Sequence, residues 1–210
     1  RPYLYINSGT VTAAGISITN PVQAFVYMNN SPQTGYLNLT SNTPWTISGA
    51  GSTTINLNGS DSTVEYSGGA ETVYATTYRH LKLSGSGTKT MTNVSTINGN
   101  LTMSGTAAAT TAVNTTIGGY LTVGDGTSFT AAGYNLSVAA TTTVGGGTSG
   151  TLTISSATGT KTFTGLVTVN AGGTWNNSGN EAITMRGGLT NGGTFTAGTG
   201  VYTMDTNAQT

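Results

Sequence analysis

Leu81-Lys82-Leu83, Leu101-Thr102-Met103 and Leu121-Thr122-Val123 repeat one apolar-polar-apolar unit at an even spacing, and the unit returns at Leu136-Ser137-Val138 and Leu152-Thr153-Ile154. Alternation at period two marks a strand with one apolar face. A strand this short cannot bury that face alone, so each unit must stack on the next to form a continuous core. The stretch predicts a stiff rod built of coils.

Longer echoes lie over the short one. Gly87-Thr88-Lys89-Thr90-Met91-Thr92 reappears downstream as Gly159-Thr160-Lys161-Thr162-Phe163-Thr164, and Val94 to Gly99 reappears at the same offset as Leu166 to Ala171. Val64-Glu65-Tyr66 through Ala70-Glu71-Thr72 matches Tyr202-Thr203-Met204 through Ala208-Gln209-Thr210. The sequence stops inside a repeat and begins at Arg1, which predicts a longer source sequence.

Composition agrees with β structure. Of the 210 residues only 6% are charged, 32 are Gly and about a fifth are Thr. Thr, Val, Ile, Tyr and Phe suit pleated strands, and Gly, Asn and Ser suit corners. Helix signals are absent. Formal net charge is zero and no Lys or Arg cluster could neutralise a row of phosphates, so nucleic acid and anionic membrane surfaces are not expected partners. No apolar run reaches the length of a spanning helix, so no membrane insertion is expected. The absence of cysteine carries no information on compartment.

All four prolines, Pro2, Pro21, Pro32 and Pro44, fall at or before position 44. Residues 1–53 therefore read as irregular coils, loops or a cap, and residues 54–210 as regular repeats. Strands are expected near 63–67, 72–77, 80–84, 88–92, 94–98, 100–104, 119–123, 134–138, 141–144, 151–155, 161–164, 166–170, 182–186, 193–196 and 200–204. Their spacing leaves no room for crossover helices. The expected fold is all-β, a right-handed parallel β-solenoid (β-helix) of about three strands per coil. Leu81, Leu83, Leu101, Met103, Leu121, Val123, Leu152 and Ile154 point inward; repeats of a β-sandwich are the alternative. Asn98 and Asn170 follow strands in matching places and could stack as an amide ladder. At roughly 20 residues per coil and about 4.8 Å per rung, the chain makes about ten coils and a rod about 50 Å long.

HLKLSGSGTKTM at 80–91, STINGNLTM at 95–103, GGTFTAGTG at 192–200 and YTMDTNAQT at 202–210 resemble the repetitive β-strand surface proteins of bacteria, in particular very large secreted adhesins. The resemblance covers residues 62–210. It implies an extracellular or cell-surface location, a structural and adhesive role, and no catalytic residues. In that family a phrase ending in AQT leads into a strand-turn phrase like the opening RPYLYINSGTVTAAG, so the end of one copy fits the beginning of another.

The candidates for chemistry are few. Asp61, Glu65 and Glu71 lie close in sequence, with Arg79 and His80 nearby, as a carbohydrate-active β-helix enzyme would require. The plainer reading makes Glu65 and Glu71 isolated solvent-facing charges. His80 is the only histidine, which leaves no histidine metal cage; it is expected to flank the strand beginning at Leu81. Asp125 in Gly124-Asp125-Gly126 stands alone where a calcium-binding repeat turn would need tandem copies, so it reads as a turn. Thr88, Thr90, Thr92, Thr160, Thr162 and Thr164 could belong to a flat Thr array of the kind that binds ice, but the spacing between units shortens after Leu121, which favours ordinary solvated faces. No catalytic, cofactor or metal residue is assigned, no cofactor is expected, and the chain is expected not to be an enzyme.

The expected function is a rigid extracellular rod that stacks head-to-tail into a filament, sheath or adhesin stalk, its partners being copies of itself, with surface glycans as a further candidate. A carbohydrate-active or carbohydrate-binding β-helix, including a phage-type spike, is the alternative. An open β edge is a template for pairing, and with the family's phrase order this makes Tyr3, Leu4, Tyr5 and Ile6 at one end, and Tyr202 and Met204 at the other, the candidate contact residues.

Overall fold

A computed structural model describes residues 3–19, 23–28, 34–49 and 51–205. Every strand pair it contains is parallel, and no helix is present among these residues. Chain order runs repeatedly from a first face to a second to a third and then back, one rung further on. This is a parallel β-solenoid of about nine turns. A sandwich of antiparallel sheets is excluded by the pairing.

The second face is one unbroken sheet of nine strands, from Gly9–Ala13 through Gly35–Leu39, Thr63–Tyr66, His80–Leu83, Leu101–Met103, Leu121–Val123, Thr142–Val144 and Val167–Val169 to Leu189–Asn191. Val11, Leu37, Val64, Leu81, Leu101, Leu121, Thr142, Val167 and Leu189 stack on one another along it. The steps between them are uneven, shortest from Val64 to Leu81 and longest from Leu37 to Val64. Nine rungs replace the expected ten because the coils toward both ends are longer than those between Leu81 and Leu121. The sheet passes without interruption from the N-terminal coils into the rest. Pro2, Pro21 and Pro32 lie outside the described residues, and Pro44 precedes the strand Trp45–Ser48, its carbonyl accepting from Ile16 N at 2.8 Å.

The first face begins as the sheet Tyr3–Ile6, Gln23–Met28 and Ser52–Asn56. It continues through bridges from Leu57 to Tyr78 and from Tyr78 to Ile97 into a six-stranded sheet ending at Tyr202–Thr203. The third face begins with Ile16–Thr19 and Trp45–Ser48. It resumes as a separate seven-stranded sheet running from Glu71–Thr72 and Ser86–Met91 to Thr194–Thr196.

All eight residues expected to point inward are buried. Each such leucine contributes roughly 2 kcal/mol by leaving water, and its stacked neighbours close the space above and below. The repeats of the unit do not share one face, however. Leu81, Leu101 and Leu121 stack on the second face, Leu136 on the first beside Thr115 and Lys161, and Leu152 on the third between Phe129 and Trp175. The drift in spacing records a change of face, not a slip in register. The longer echo behaves alike, moving Lys89 on the third face to Lys161 on the first. Asn98 follows a first-face strand and Asn170 a second-face strand, so they are not equivalent.

Several strands have no counterpart among those expected after position 54: Thr106–Thr111, Thr115–Ile117, Ser128–Ala131, Thr174–Asn176 and Leu189–Asn191. Thr106–Thr111 carries Ala107 and Ala109 where large apolar residues would announce a strand. Ala109 stacks between Lys89 and Phe129, where a small side chain leaves room for two long ones.

Corners are tied by polar side chains that reach one coil along. Oδ1 of Asn42, Asn100, Asn114, Asn135 and Asn180 accepts from the backbone N–H of Gly69, Tyr120, Asn135, Thr160 and Thr199, at 2.8–3.0 Å. Among the described residues, amide bonds to amide only between Asn98 and Asn58, at 3.0 Å. The asparagines thus work mostly as side-chain-to-backbone rungs, one at each corner they occupy.

Candidate functional surfaces

At the N-terminal end Tyr3 and Tyr5 point outward and are 51% and 55% exposed. Tyr3 stacks on Phe25 with centroids 4.9 Å apart, and Tyr5 on Tyr27 at 5.5 Å, because these residues are in register on adjacent rungs. Leu4 and Ile6 point inward; Leu4 is half-buried and Ile6 only 2% exposed. A cavity of about 390 Å³, lined by Leu4, Ile16, Ile18, Ala24 and Val26 among others, opens between the first and third faces of the outermost coil. The edge strand Tyr3–Ile6 therefore offers aromatic rings outside and apolar core inside.

At the other end Tyr202 lies against the core. Its hydroxyl accepts from Trp175 Nε1 at 3.0 Å and donates to the Ala197 carbonyl at 3.2 Å. Phe195 stacks on Trp175 at 5.7 Å and, with Leu189, is only partly covered. Met204 and Val201 are exposed. The Ala208-Gln209-Thr210 phrase lies outside the described residues.

The acidic residues do not form a pair. Glu65 lies on the outer side of the second face, where it accepts from Tyr36 Oη and Ser84 Oγ and faces Lys82 Nζ at 3.1 Å. Burial pushes its carboxyl up, but Ser84, Tyr36 and Lys82 together outweigh this and hold it below the usual range. Glu71 lies inside the third face, paired with Lys89 Nζ, and both side chains are fully buried. Burial drives the Glu71 carboxyl up, and Lys89 offsets only part of that. Neither glutamate is the isolated, solvent-facing charge expected from the sequence, because each meets a lysine on the adjacent rung.

The two echoed lysines are core residues. Lys89 Nζ donates also to the Gly68 and Gly69 carbonyls, at 2.8 and 2.9 Å. Lys161 Nζ donates to the carbonyls of Tyr134, Thr158 and Gly159 at 2.8–3.0 Å, and burial holds its pKa below the ordinary lysine value, offset in part by Glu181. Each ammonium gathers carbonyls at a corner. The signal was in the sequence: Lys89 shares strand parity with Met91, and Lys161 with Phe163.

His80 opens the strand His80–Leu83, and its Nδ1 accepts from Asn100 N at 3.0 Å. Burial and then Arg79 hold its pKa below the ordinary value. Arg79 pairs with Asp61 at 3.8 Å. Asp125 Oδ1 accepts from the backbone N–H groups of Gly146, Thr148 and Ser149, at 2.6, 3.2 and 3.0 Å. These donors hold its carboxyl down to about 2. A ring of N–H donors recognises an anion, so Asp125 staples the turn of the next coil.

The third face also carries two outward rows in register. One holds Thr88, Ala108, Ser128, Thr151, Thr174 and Thr194, the other Thr90, Thr110, Thr130, Thr153, Asn176 and Thr196. The objection that the spacing drifts does not hold for this face. No family model, no curated protein and no solved structure matches the chain.

Proposed function

We propose that the chain is an extracellular structural element of the bacterial surface-adhesin kind, a solenoid rod that lengthens by end-to-end stacking of coils. The observation that carries this reading is the pair of outermost rungs. Among the described residues each has no strand paired on its outer side and has partly covered apolar side chains behind it, Leu4, Val11, Ile16 and Ile18 at one end and Leu189, Phe195 and Tyr202 at the other. Such edges are satisfied by a further coil of the same kind. The contact is heterologous and propagates as a filament unless the rotation closes a ring. Electron microscopy and light scattering of purified protein test it. Filaments that shorten or vanish with Leu4→Asp, while the exchange protection of the central coils is kept, are the expected result. A monodisperse monomer at high concentration would refute it.

A second reading, adsorption to ice, is favoured by the third-face rows alone. Every rung there carries at least one hydroxyl at the strand spacing of about 4.8 Å, with Ala108 interrupting one row and Asn176 the other, on a face whose outward side chains in those rows are uncharged and small. Thermal hysteresis that is lost in Thr130→Lys with Thr153→Lys, but kept when Thr122 and Thr143 on the second face are changed alike, would support it; no hysteresis in the unmodified protein would exclude it.

A further inference from the structure

Among the described residues the third face is broken once. There the strand Trp45–Ser48 pairs only with Ile16–Thr19, and Glu71–Thr72 only with Ser86–Met91, so two edge strands border the same gap in the wall. The gap is a cleft of about 490 Å³, within the range of small-molecule sites. The rings of Trp45 and Tyr74 meet in it at 5.0 Å with an interplanar angle of 39°.

Two buried tyrosines hold the Trp45 ring and the Tyr74 backbone from behind. Trp45 Nε1 donates to Tyr66 Oη at 2.9 Å, Tyr74 N donates to the same oxygen at 3.0 Å, and Tyr66 Oη lies 2.8 Å from Tyr78 Oη. Tyr78 Oη in turn donates to the Tyr74 carbonyl at 2.6 Å. Tyr66 and Tyr78 are fully buried, so the core commits two phenol hydroxyls to fixing these two aromatic residues. Tyr66 stacks between Leu39 and Leu83 and Tyr78 between Leu57 and Ile97, so both rings belong to the core ladders while their hydroxyls reach Trp45 and Tyr74.

The lining is uncharged, partly apolar through Pro44, Ile47, Val73 and Ala75 and partly polar. Asn42, Thr43, Thr72, Thr92 and Asn93 line the cleft, and no Lys, Arg, His, Asp or Glu does among the described residues. Asn42 Oδ1 accepts from Gly69, and among the described residues no hydrogen bond engages its amide nitrogen, the Thr72 and Thr92 hydroxyls, or the Asn93 side chain. A fixed aromatic pair with free amides and hydroxyls around it matches one ligand chemistry: a neutral pyranose, whose C–H face packs on aromatic rings and whose hydroxyl rim needs donors and acceptors together. We propose that this cleft is a binding site for a neutral saccharide, one to two sugar rings in length, on the side of the rod.

The test uses the whole chain carrying Trp175→Phe, so that Trp45 alone reports by fluorescence. Cellotriose, chitotriose and mannotriose are the probes, with the peptide Thr-Val-Thr-Val, acetylated and amidated at its ends so that it is uncharged, as comparison. At least one trisaccharide should bind more tightly than about 1 mM and shift the Trp45 emission to the blue. Tyr74→Ala should weaken that binding at least about tenfold. Asn93→Gly, which suits the left-handed backbone at that position (φ 63°) and leaves the aromatic pair in place, should weaken it by a smaller factor. Tyr120→Ala, at an exposed ring on the second face, should leave it unchanged. Titration calorimetry repeats the measurement on the protein with both tryptophans, so a folding defect in the Trp175 variant does not decide the outcome. Failure of all three sugars, binding of the peptide alone, or binding indifferent to both Tyr74→Ala and Asn93→Gly would overturn the proposal.

Discussion

Replacing Lys89 with Met should destabilise the middle coils more than any surface substitution. The Lys89 ammonium is fully buried against an equally buried Glu71 carboxylate and two carbonyls. Breaking a buried pair from one side costs about 3–5 kcal/mol, and each carbonyl left without a donor adds about 1–3 kcal/mol before relaxation. About 4 kcal/mol is expected after Glu71 relieves part of the loss by taking up a proton. For a domain of this size that lowers the melting midpoint by about 8–16 °C. The sign of the pH effect follows from the raised Glu71 pKa. Its folded carboxyl keeps a proton that the unfolded chain has already released, so the variant is most stable below the ordinary carboxylate value of 4.5 and loses stability as pH rises through and above it. Removing both charges, with Lys89→Met and Glu71→Leu together, should recover at least half of the deficit. Circular dichroism melts at several pH values give the global change. Hydrogen exchange at residues 68–72 and 86–91 gives the local one, which matters because a solenoid need not unfold as one unit. A Lys89→Met protein within about 1 kcal/mol of the parent at neutral pH, or one whose deficit ignores pH, would show that the pair is not the internal tie described above.

Three further outcomes are expected. Gly105→Ala should cost about 1–2 kcal/mol from its left-handed backbone alone (φ 68°), with more added because the new Cβ would press on the Gly85 carbonyl oxygen one rung away; the neighbouring Ser104→Ala, compared by thermal melt, should be much milder. Asp125→Ala should speed exchange of the Gly146, Thr148 and Ser149 amides selectively. In the parent this tie is fully present above the ordinary Asp value of 3.8 and disappears only as pH falls through about 2; unchanged exchange rates would remove Asp125 from the list of staples. Leu121→Ala should cost about 2–5 kcal/mol in a chemical denaturation series, since the side chain is fully buried between Leu101 and Thr142.

What the sequence disclosed and what it hid divide along physical lines. Alternation at period two is a local property, and it located the buried side chains from Leu81 to Ile154 correctly. The face to which a strand belongs is not local, because it depends on the length of every corner before it. The turn at 145–150, which Asp125 holds, lengthens one coil and so changes the residue count to the next rung while the strand register is kept. Counting residues from leucine to leucine therefore merged three faces into one. The buried lysines were legible but unread: Glu71 and Lys89 stand close to one coil apart, and both lie at inward positions. Trp45 and Tyr74 carried no comparable signal. Their meeting depends on a gap between two edge strands, and on Tyr66 and Tyr78 behind them, which no spacing rule anticipates.

The interchange of faces explains why the echoes persist although the period does not. Each face asks the same of a short segment: inward apolar side chains at alternate positions, parallel bonds to the rungs on either side, and a corner that can take a positive φ. Gly87, inside the strand Ser86–Met91, and Gly159, shortly before Lys161–Phe163, both take a positive φ, of 70° and 79°, and each is followed two positions on by a lysine; Lys89 collects the Gly68 and Gly69 carbonyls of the preceding coil, and Lys161 the carbonyl of Gly159 itself. A segment meeting those terms works on the third face at Lys89 and on the first face at Lys161, against different neighbours. The rod is thus constrained rung by rung, with little dependence on which face a phrase occupies. That leaves the sequence free to drift in period and to insert a cleft such as the one at Trp45 and Tyr74 without interrupting the nine-stranded second face that runs past it.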